Sequence, residues 1–333
     1  MKKIKFITFN DVHISDINPS ARLGSYKKDI LEKLKQIGAA GRKLEVDFYI
    51  FAGDMFHIKA PIKNTHNLNT LLMETFQAYG APIYATEGNH DLRGSYNNFD
   101  EQPLKVLYTS GVLTQLRTIE KEINGIKVLI KGFPFQESSY PIDPTQREKQ
   151  DVSICVLHLY ATPDGGTLFK TKLMSYDDLG KSQDDIYVIG HYHIDQGVQT
   201  ISDNGYTQHF INVGAVSRGT TSEDNIKRDP KISYVEIEKA DSGEITIRVQ
   251  AVKLKVKPAE EVFDLEEKKS EKEKMEATEE FVEKLQKNLD EGIANPNSIE
   301  EEVDRLNAEK EVIDCVKYYL ELADTNIKEI RGS

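Results

Sequence analysis

Hydrophobic and polar positions change period several times along this chain, and the changes mark its elements. Short runs rich in β-branched and aromatic residues predict strands at 4–9, 46–51, 82–85, 126–133, 152–157, 186–189 and 210–213. Apolar residues at helical spacing predict helices over 27–40 and 64–79. Two further runs, 232–237 and 245–254, flank Asp241-Ser242-Gly243 and read as a hairpin. Strands alternating with helices through the first half predict an α/β layered domain.

After Lys257-Pro258 the texture changes: Glu and Lys dominate, glycine nearly disappears and β-branched runs stop. Two helices fit there, roughly 260–291 and 298–324, with Gly292, Asn295 and Pro296 as stop and turn. Ser298 and Glu301 have the spacing of a capping box, which fixes the second start. Within it Ile299, Val303, Leu306, Ile313 and Leu320 form a stripe interrupted by Lys310 and Lys317. That stripe suits the body, the other helix or a foreign helix. The expected division is therefore a body over 1–257 and an acidic helical hairpin over 258–333.

Charge sharpens the division. The chain carries 43 basic and 55 acidic residues, a net charge of -12. From Ala259 onward there are 11 basic and 23 acidic residues, so the body is balanced and the whole deficit lies in the tail. A balanced body argues against a polycation that coats nucleic acid, but leaves room for a site where metal ions supply the positive charge. Apolar residues make up 38% of the chain, enough for a sizeable core, with no run long enough to span a membrane. Met1-Lys2-Lys3-Ile4 passes at once into strand-like residues, unlike a secretory signal. Cys155 and Cys315 lie far apart, with no CxxC pair, so neither a disulfide framework nor a thiolate zinc site is expected. These features predict a cytoplasmic protein, at the nucleoid or at a viral replication site, without membrane contact.

Five polar motifs each follow a strand in turn: Asp11-Val12-His13, Gly53-Asp54, Gly88-Asn89-His90-Asp91, His158, and Gly190-His191-Tyr192-His193. In open α/β sheets, groups beyond the strand carboxyl ends converge where ligands bind. Five of the eight histidines lie in these motifs, and a sixth, His57, follows Asp54 by three residues. A lone histidine after a strand is more often a satisfied surface or core residue than a ligand. Five such elements in this order are not coincidence. Motifs this rich in imidazole suit manganese, iron or zinc better than magnesium or calcium, which prefer all-oxygen shells.

In these five blocks the sequence resembles the calcineurin-like metallophosphoesterase superfamily, over residues 1 to about 257. The resemblance implies a four-layer sandwich, two mixed β-sheets flanked by helices, with the C-terminal helical hairpin appended. It also implies two divalent cations, most simply Mn2+. Asp11, His13 and His193 would hold one, Asn89, His158 and His191 the other, and Asp54 would bridge both. Such a pair clamps a phosphate in line and acidifies a shared water. His90 is then the candidate to protonate the leaving oxygen. Asp91 either orients His90, as a carboxylate orients a triad histidine, or caps the following turn.

Within that superfamily the same ligands serve different substrates. Gly53-Asp54-Met55-Phe56-His57 resembles the Gly-Asp-x-Phe-His block of the SbcD family of double-strand-break repair nucleases. On that resemblance His57 stands near the substrate phosphate, or else packs beneath the site. Asp91 stands where protein phosphatases usually have Glu. Val213 to Gly219 resembles the family's glycine-containing loop, in which Arg218 either meets a phosphate or is an exposed loop arginine. The family pattern implies a DNA exonuclease, with endonuclease action as a further expectation, working in recombination and repair. It also implies a homodimer, and an SbcC-like coiled-coil ATPase docked on the C-terminal helices. Only about 75 residues follow the hairpin, so the family's capping domain is expected to be reduced or absent. Gly180-Lys181-Ser182 ends like a P-loop, but residue 175 is Ser where Gly is required, so no nucleotide loop is expected in this chain. The rival expectations are a phosphomonoesterase or cyclic-nucleotide phosphodiesterase on the same scaffold, and an architectural subunit that tethers DNA ends.

Overall fold

Successive side chains of a strand point to opposite faces, and the strands at 48–51, 152–159 and 186–191 are buried on both. That pattern requires cover on two sides, which a layered fold supplies. The computed structural model describes residues 2–20, 22–92, 96–135, 150–168, 171–203 and 206–266. The chain divides into two compact units, Met1–Phe263 and Asp264–Ser333. The fold below is that of the first.

Its strands are β1 Lys2–Phe9, β2 Phe48–Phe51, β3 Ile83–Ala85, β4 Thr114–Gln115, β5 Thr118–Ile123, β6 Ile126–Phe133, β7 Val152–Leu159, β8 Ala161–Thr162, β9 Gly166–Leu168, β10 Thr171–Ser175, β11 Ile186–His191, β12 Gly197–Asp203, β13 Tyr206–Asn212, β14 Lys231–Lys239 and β15 Ile245–Lys253. Its helices are α1 Tyr26–Leu44, α2 His66–Gln77, α3 Pro103–Thr109, α4 Tyr176–Gly180, α5 Glu223–Lys227 and α6 Ala259–Val262. One sheet runs β15-β14-β1-β2-β3-β4 and the other β12-β13-β11-β7-β6-β5, with β8-β10-β9 as a small third. Both large sheets are mixed. β1 to β4 are parallel and β14 antiparallel to β1; β6, β7, β11 and β13 are parallel between antiparallel edges β5 and β12.

Three apolar clusters separate four layers. Ile7, Phe9, Tyr49 and Phe51 pack against Ile30, Leu34 and Ile37 of α1 and Leu72 and Phe76 of α2. The opposite faces of the same strands, Ile4, Phe6, Phe48 and Ile50, meet Val128, Ile154 and Val188 of the second sheet. Beyond that sheet, Leu157, Tyr187 and Phe210 pack with Tyr176 and Leu179 of α4. The four-layer sandwich read from the sequence is the fold observed.

Capping fixes the crossover helices. Ser25 accepts from the Lys28 N–H at the start of α1, and Thr65 accepts from the Leu68 N–H at the start of α2. Because β1, β2 and β3 all run the same way as β7, β11 and β13, six strand carboxyl ends open on one edge. The tail differs from expectation where it is described. The helix expected from 260 is interrupted: the single turn α6 ends at the extended Phe263, at φ -126° and ψ 141°, and Leu265 and Glu266 are helical again where the described residues end. This turn packs back on the body, for the Leu23 N–H donates to the Val262 carbonyl at 3.0 Å. The expected helices beyond residue 266, with the docking role given to them, lie outside the described residues.

Candidate metal centre

Each of the five motifs sits at a strand carboxyl end, and the backbone there bends through conformations that L-residues seldom adopt. Asp11, His13, Asp54 and His191 all have positive φ, at 52°, 46°, 61° and 87°. Such strain persists only where surrounding bonds impose it. Here the loops after β1 and β2 are laced together: the Asp11, His13 and Ile14 N–H groups donate to the Gly53, Asp54 and Met55 carbonyls at 2.9–3.0 Å. The loop after β13 adds bonds from the Val216 and Ser217 N–H groups to the Asn10 and Asp11 carbonyls, each 3.1 Å. Glycine permits the crowding. A Cβ on Gly88 would lie 2.1 Å from Asp54 Oδ1, and one on Gly53 would lie 2.5 Å from His158 Nδ1.

The result is two groups of donors that share one carboxylate. Asp11, His13, Asp54 and His193 form one, and Asp54, His158 and His191 the other, with donor atoms within 4.8 Å of each other in each. Asp54 Oδ2 lies 3.4 Å from His13 Nε2 and 3.3 Å from His158 Nε2, while His13 Nε2 and His193 Nε2 are 3.0 Å apart. Asn89 Oδ1 stands 3.2 Å from His158 Nε2. Donor atoms that each lie about 2.1 Å from a common cation are roughly 3.0–3.4 Å from one another. Moreover, Asp54 Oδ2 and His191 Nε2 are buried without any hydrogen-bond partner. An orphaned carboxylate oxygen and an orphaned imidazole nitrogen are costly unless a cation takes them. The donor set therefore fits two divalent ions.

Neighbouring groups orient these donors. The His158 Nδ1–H donates to the Ala52 carbonyl at 2.7 Å, which turns Nε2 toward Asn89 and Asp54. Asp11 accepts from the Asn10 side-chain amide at 2.5 Å and from the His191 N–H at 3.1 Å. Burial, opposed by Asp54, holds the His13 imidazole well below its usual range, and burial with the neighbouring His158 holds His191 at about 3. Both are thus neutral, as metal ligation requires. Burial works against charge on His158 too, but the Asp54 carboxylate outweighs it and pushes that imidazole up to about 9. Burial likewise opposes charge on Asp54, yet His158 and His13 hold its acid well below the carboxylate range. The protein without metal keeps a proton on this pair that a cation would displace.

The remaining candidates divide. His90 donates its backbone N–H to Asp54 Oδ1 at 2.7 Å, and its ring lies edge-on to His13 at 4.7 Å between centroids. The exposed His57 ring stacks on His90 at 5.8 Å. Together with His13 they form a third triplet of close nitrogens. Asp91 is not beside the His90 ring. Its buried carboxylate accepts from the backbone N–H groups of Asp54, Gly88, Met55 and Phe56 at 2.8–3.3 Å. His90 Nδ1 is oriented instead by the His57 carbonyl at 2.7 Å. Arg218 also lies elsewhere, for its side chain is 4% exposed and turned toward the C-terminal segment. It donates to the Lys257 carbonyl at 2.6 Å and faces the Phe263 ring, so it is not an exposed loop arginine, and it stands outside the donor groups.

Two neighbours escaped the sequence reading. Asn10 holds Asp11, and as a polar residue closing an apolar strand it carried a signal. The Tyr160 ring lies 3.8 Å from that of His191, with Phe135 on the other side at 5.2 Å. Nothing in sequence distinguishes Tyr160 from an ordinary strand-end aromatic.

Comparison with known proteins agrees with this geometry. A family model described as calcineurin-like phosphoesterase matches residues 4–195. A DNA double-strand break repair protein Mre11 of Methanopyrus kandleri is 22% identical, over 55% of this chain and 44% of that protein. The chain thus spans less than half of that relative. A solved structure of a proposed 5′-nucleotidase from Staphylococcus aureus superposes with a TM-score of 0.50 at 16% identity, covering 75% of this chain and 54% of the other. Among the described residues no helix is long and apolar enough to cross a membrane.

Proposed function

Because this chain belongs to the calcineurin-like phosphoesterase family, we propose that it is a manganese-dependent deoxyribonuclease that hydrolyses phosphodiesters in DNA. The observation that carries the reading is Asp54, whose carboxylate is shared by two donor groups while the His57 and His90 rings stack beside them. Asp11, His13 and His193 would hold one divalent cation and Asn89, His158 and His191 the other, with Asp54 common to both. Bound there, such ions supply Lewis-acid charge and an acidified water. The nitrogen-rich set favours manganese, iron or zinc over magnesium.

The chain's own residues supply the rest. A phosphodiester leaves as an alkoxide, so an acid near the leaving oxygen raises the rate by roughly 10²–10⁴. His90 is suited to give that proton from Nε2, because its Nδ1 is engaged by the His57 carbonyl. His57 is exposed and stacked on it, suited to meet a phosphate oxygen. DNA as substrate is supported by the Gly53-Asp54-Met55-Phe56-His57 block and by the name of the archaeal relative.

Manganese-loaded protein is expected to release nucleotides from linear duplex DNA. His90→Asn should lower that rate by about 100-fold or more with the metal content unchanged. Intact DNA alongside rapid turnover of p-nitrophenyl phosphate would replace this reading with a phosphomonoesterase.

A further inference from the structure

A cavity of about 80 Å³ lies between α1, the loop after β13 and the segment entering α6, and none of its lining residues belongs to the donor groups. Its walls include Arg22, Asp29, Lys33, Arg218, Lys255 and Lys257. Three of these cations are nearly enclosed: Arg22 is 7%, Lys33 5% and Arg218 4% exposed. Guanidinium groups stay charged wherever they are placed, and a buried charge without a counterion is expensive.

The counterions do not suffice. Asp29 is shared between Arg22, at 2.6 Å, and Lys257, at 3.3 Å. Among the described residues Lys33 Nζ donates only to the neutral Val216 carbonyl, at 2.8 Å. Arg218 has no carboxylate partner among the described residues; its bond goes to the Lys257 carbonyl. The Nε atoms of both Arg22 and Arg218 are buried with no acceptor. Glu32, also in the lining, is exposed at the rim. Room for on the order of five waters is also room for one tetrahedral oxyanion, and orphaned guanidinium N–H groups are suited to its oxygens.

We propose that this cavity binds a small free oxyanion, inorganic phosphate or its tetrahedral analogues, through Arg22, Lys33 and Arg218. Burial and the nearby guanidiniums push the Lys33 amine well down from its usual range, and an anion alongside favours its protonation. The bound ion ties α1 to the loop after β13. Through Val216 and Ser217 that loop braces the Asn10 and Asp11 carbonyls, so the anion stiffens the frame of the metal centre without entering it.

The test separates this site from the metal centre, which also attracts phosphate. Melting of the full chain and of Asp54→Ala is followed as phosphate replaces chloride at constant ionic strength. A rise of about 5 °C at roughly 100 times the dissociation constant is expected in both proteins and is lost in Arg218→Met. A rise that vanishes in Asp54→Ala overturns the proposal. Should Arg218→Met fail to fold, crystals of the wild-type chain in selenate decide by anomalous scattering. A peak between Arg22, Lys33 and Arg218 supports the site. A peak confined to the donor groups around Asp54, or none, refutes it.

Discussion

Asp91 binds four backbone N–H groups from two different loops, at Asp54, Met55 and Phe56 and at Gly88. It therefore acts on the centre through the backbone, holding the positive-φ turn at Asp54 against strain. Burial and the Asp54 charge push the Asp91 acid up to about 7, so Asp91→Asn keeps the shape and chiefly replaces one acceptor oxygen by a donor. The cost is on the order of 3 kcal/mol, seen as a melting point about 6–10 °C lower; an unchanged melting point would leave Asp91 no such role. At this scale the sequence was legible for residue types and blind to direction. Asp11, His13, Asp54, Asn89, His158, His191 and His193 come together because each lies in a strand or within four residues of a strand end, where the chain has little room to turn away. Asp91 and Arg218 each lie six residues past a strand end, far enough for one turn to decide whether a side chain enters the site or leaves it. Arg218 left it for Lys257 and Phe263.

Elements follow the same logic. Strands buried on both faces, such as β2 with Phe48 to Phe51 and β7 with Val152 to Leu159, were plain because apolar residues occupy both faces, with Ser153 and His158 the polar exceptions in β7. Edge strands were not. β5 reads Thr-Ile-Glu-Lys-Glu-Ile with its polar side chains exposed, and its pairing with β6 is carried by backbone bonds that composition does not reveal. Likewise the short β8, β9 and β10 have too few residues to show a period. Of the helices, α1 and α2 were legible in position but not in their closeness to the sheet, and the shorter α3, α4 and α5 were not legible. A Cβ on Gly41 of α1 would meet Tyr49 Oη at 1.9 Å. In an isolated helix Gly to Ala gains about 1 kcal/mol, but here the helix would have to lift from β2. Gly41→Ala is expected to destabilise the chain by about 2 kcal/mol in a denaturant titration. A stabilised variant would mean that the contact yields easily.

Across the whole molecule, two sheets bring six parallel strand ends to one edge, and the loops there meet at Asp54. Layer order and donor set were legible together, because one period places apolar residues in the core and polar ones at strand ends. The cavity beside Lys33 was not, since it is built from residues 22, 33, 218 and 257 that share no local pattern. The central claim is that Asp54 joins two cation sites into one centre, and counting metal tests it most directly. Wild-type protein loaded with manganese and freed of excess should carry two ions per chain, one for each donor group around Asp54, and Asp54→Ala should retain fewer than one. A wild-type chain that binds a single ion, or an Asp54→Ala chain that still holds two, would contradict it.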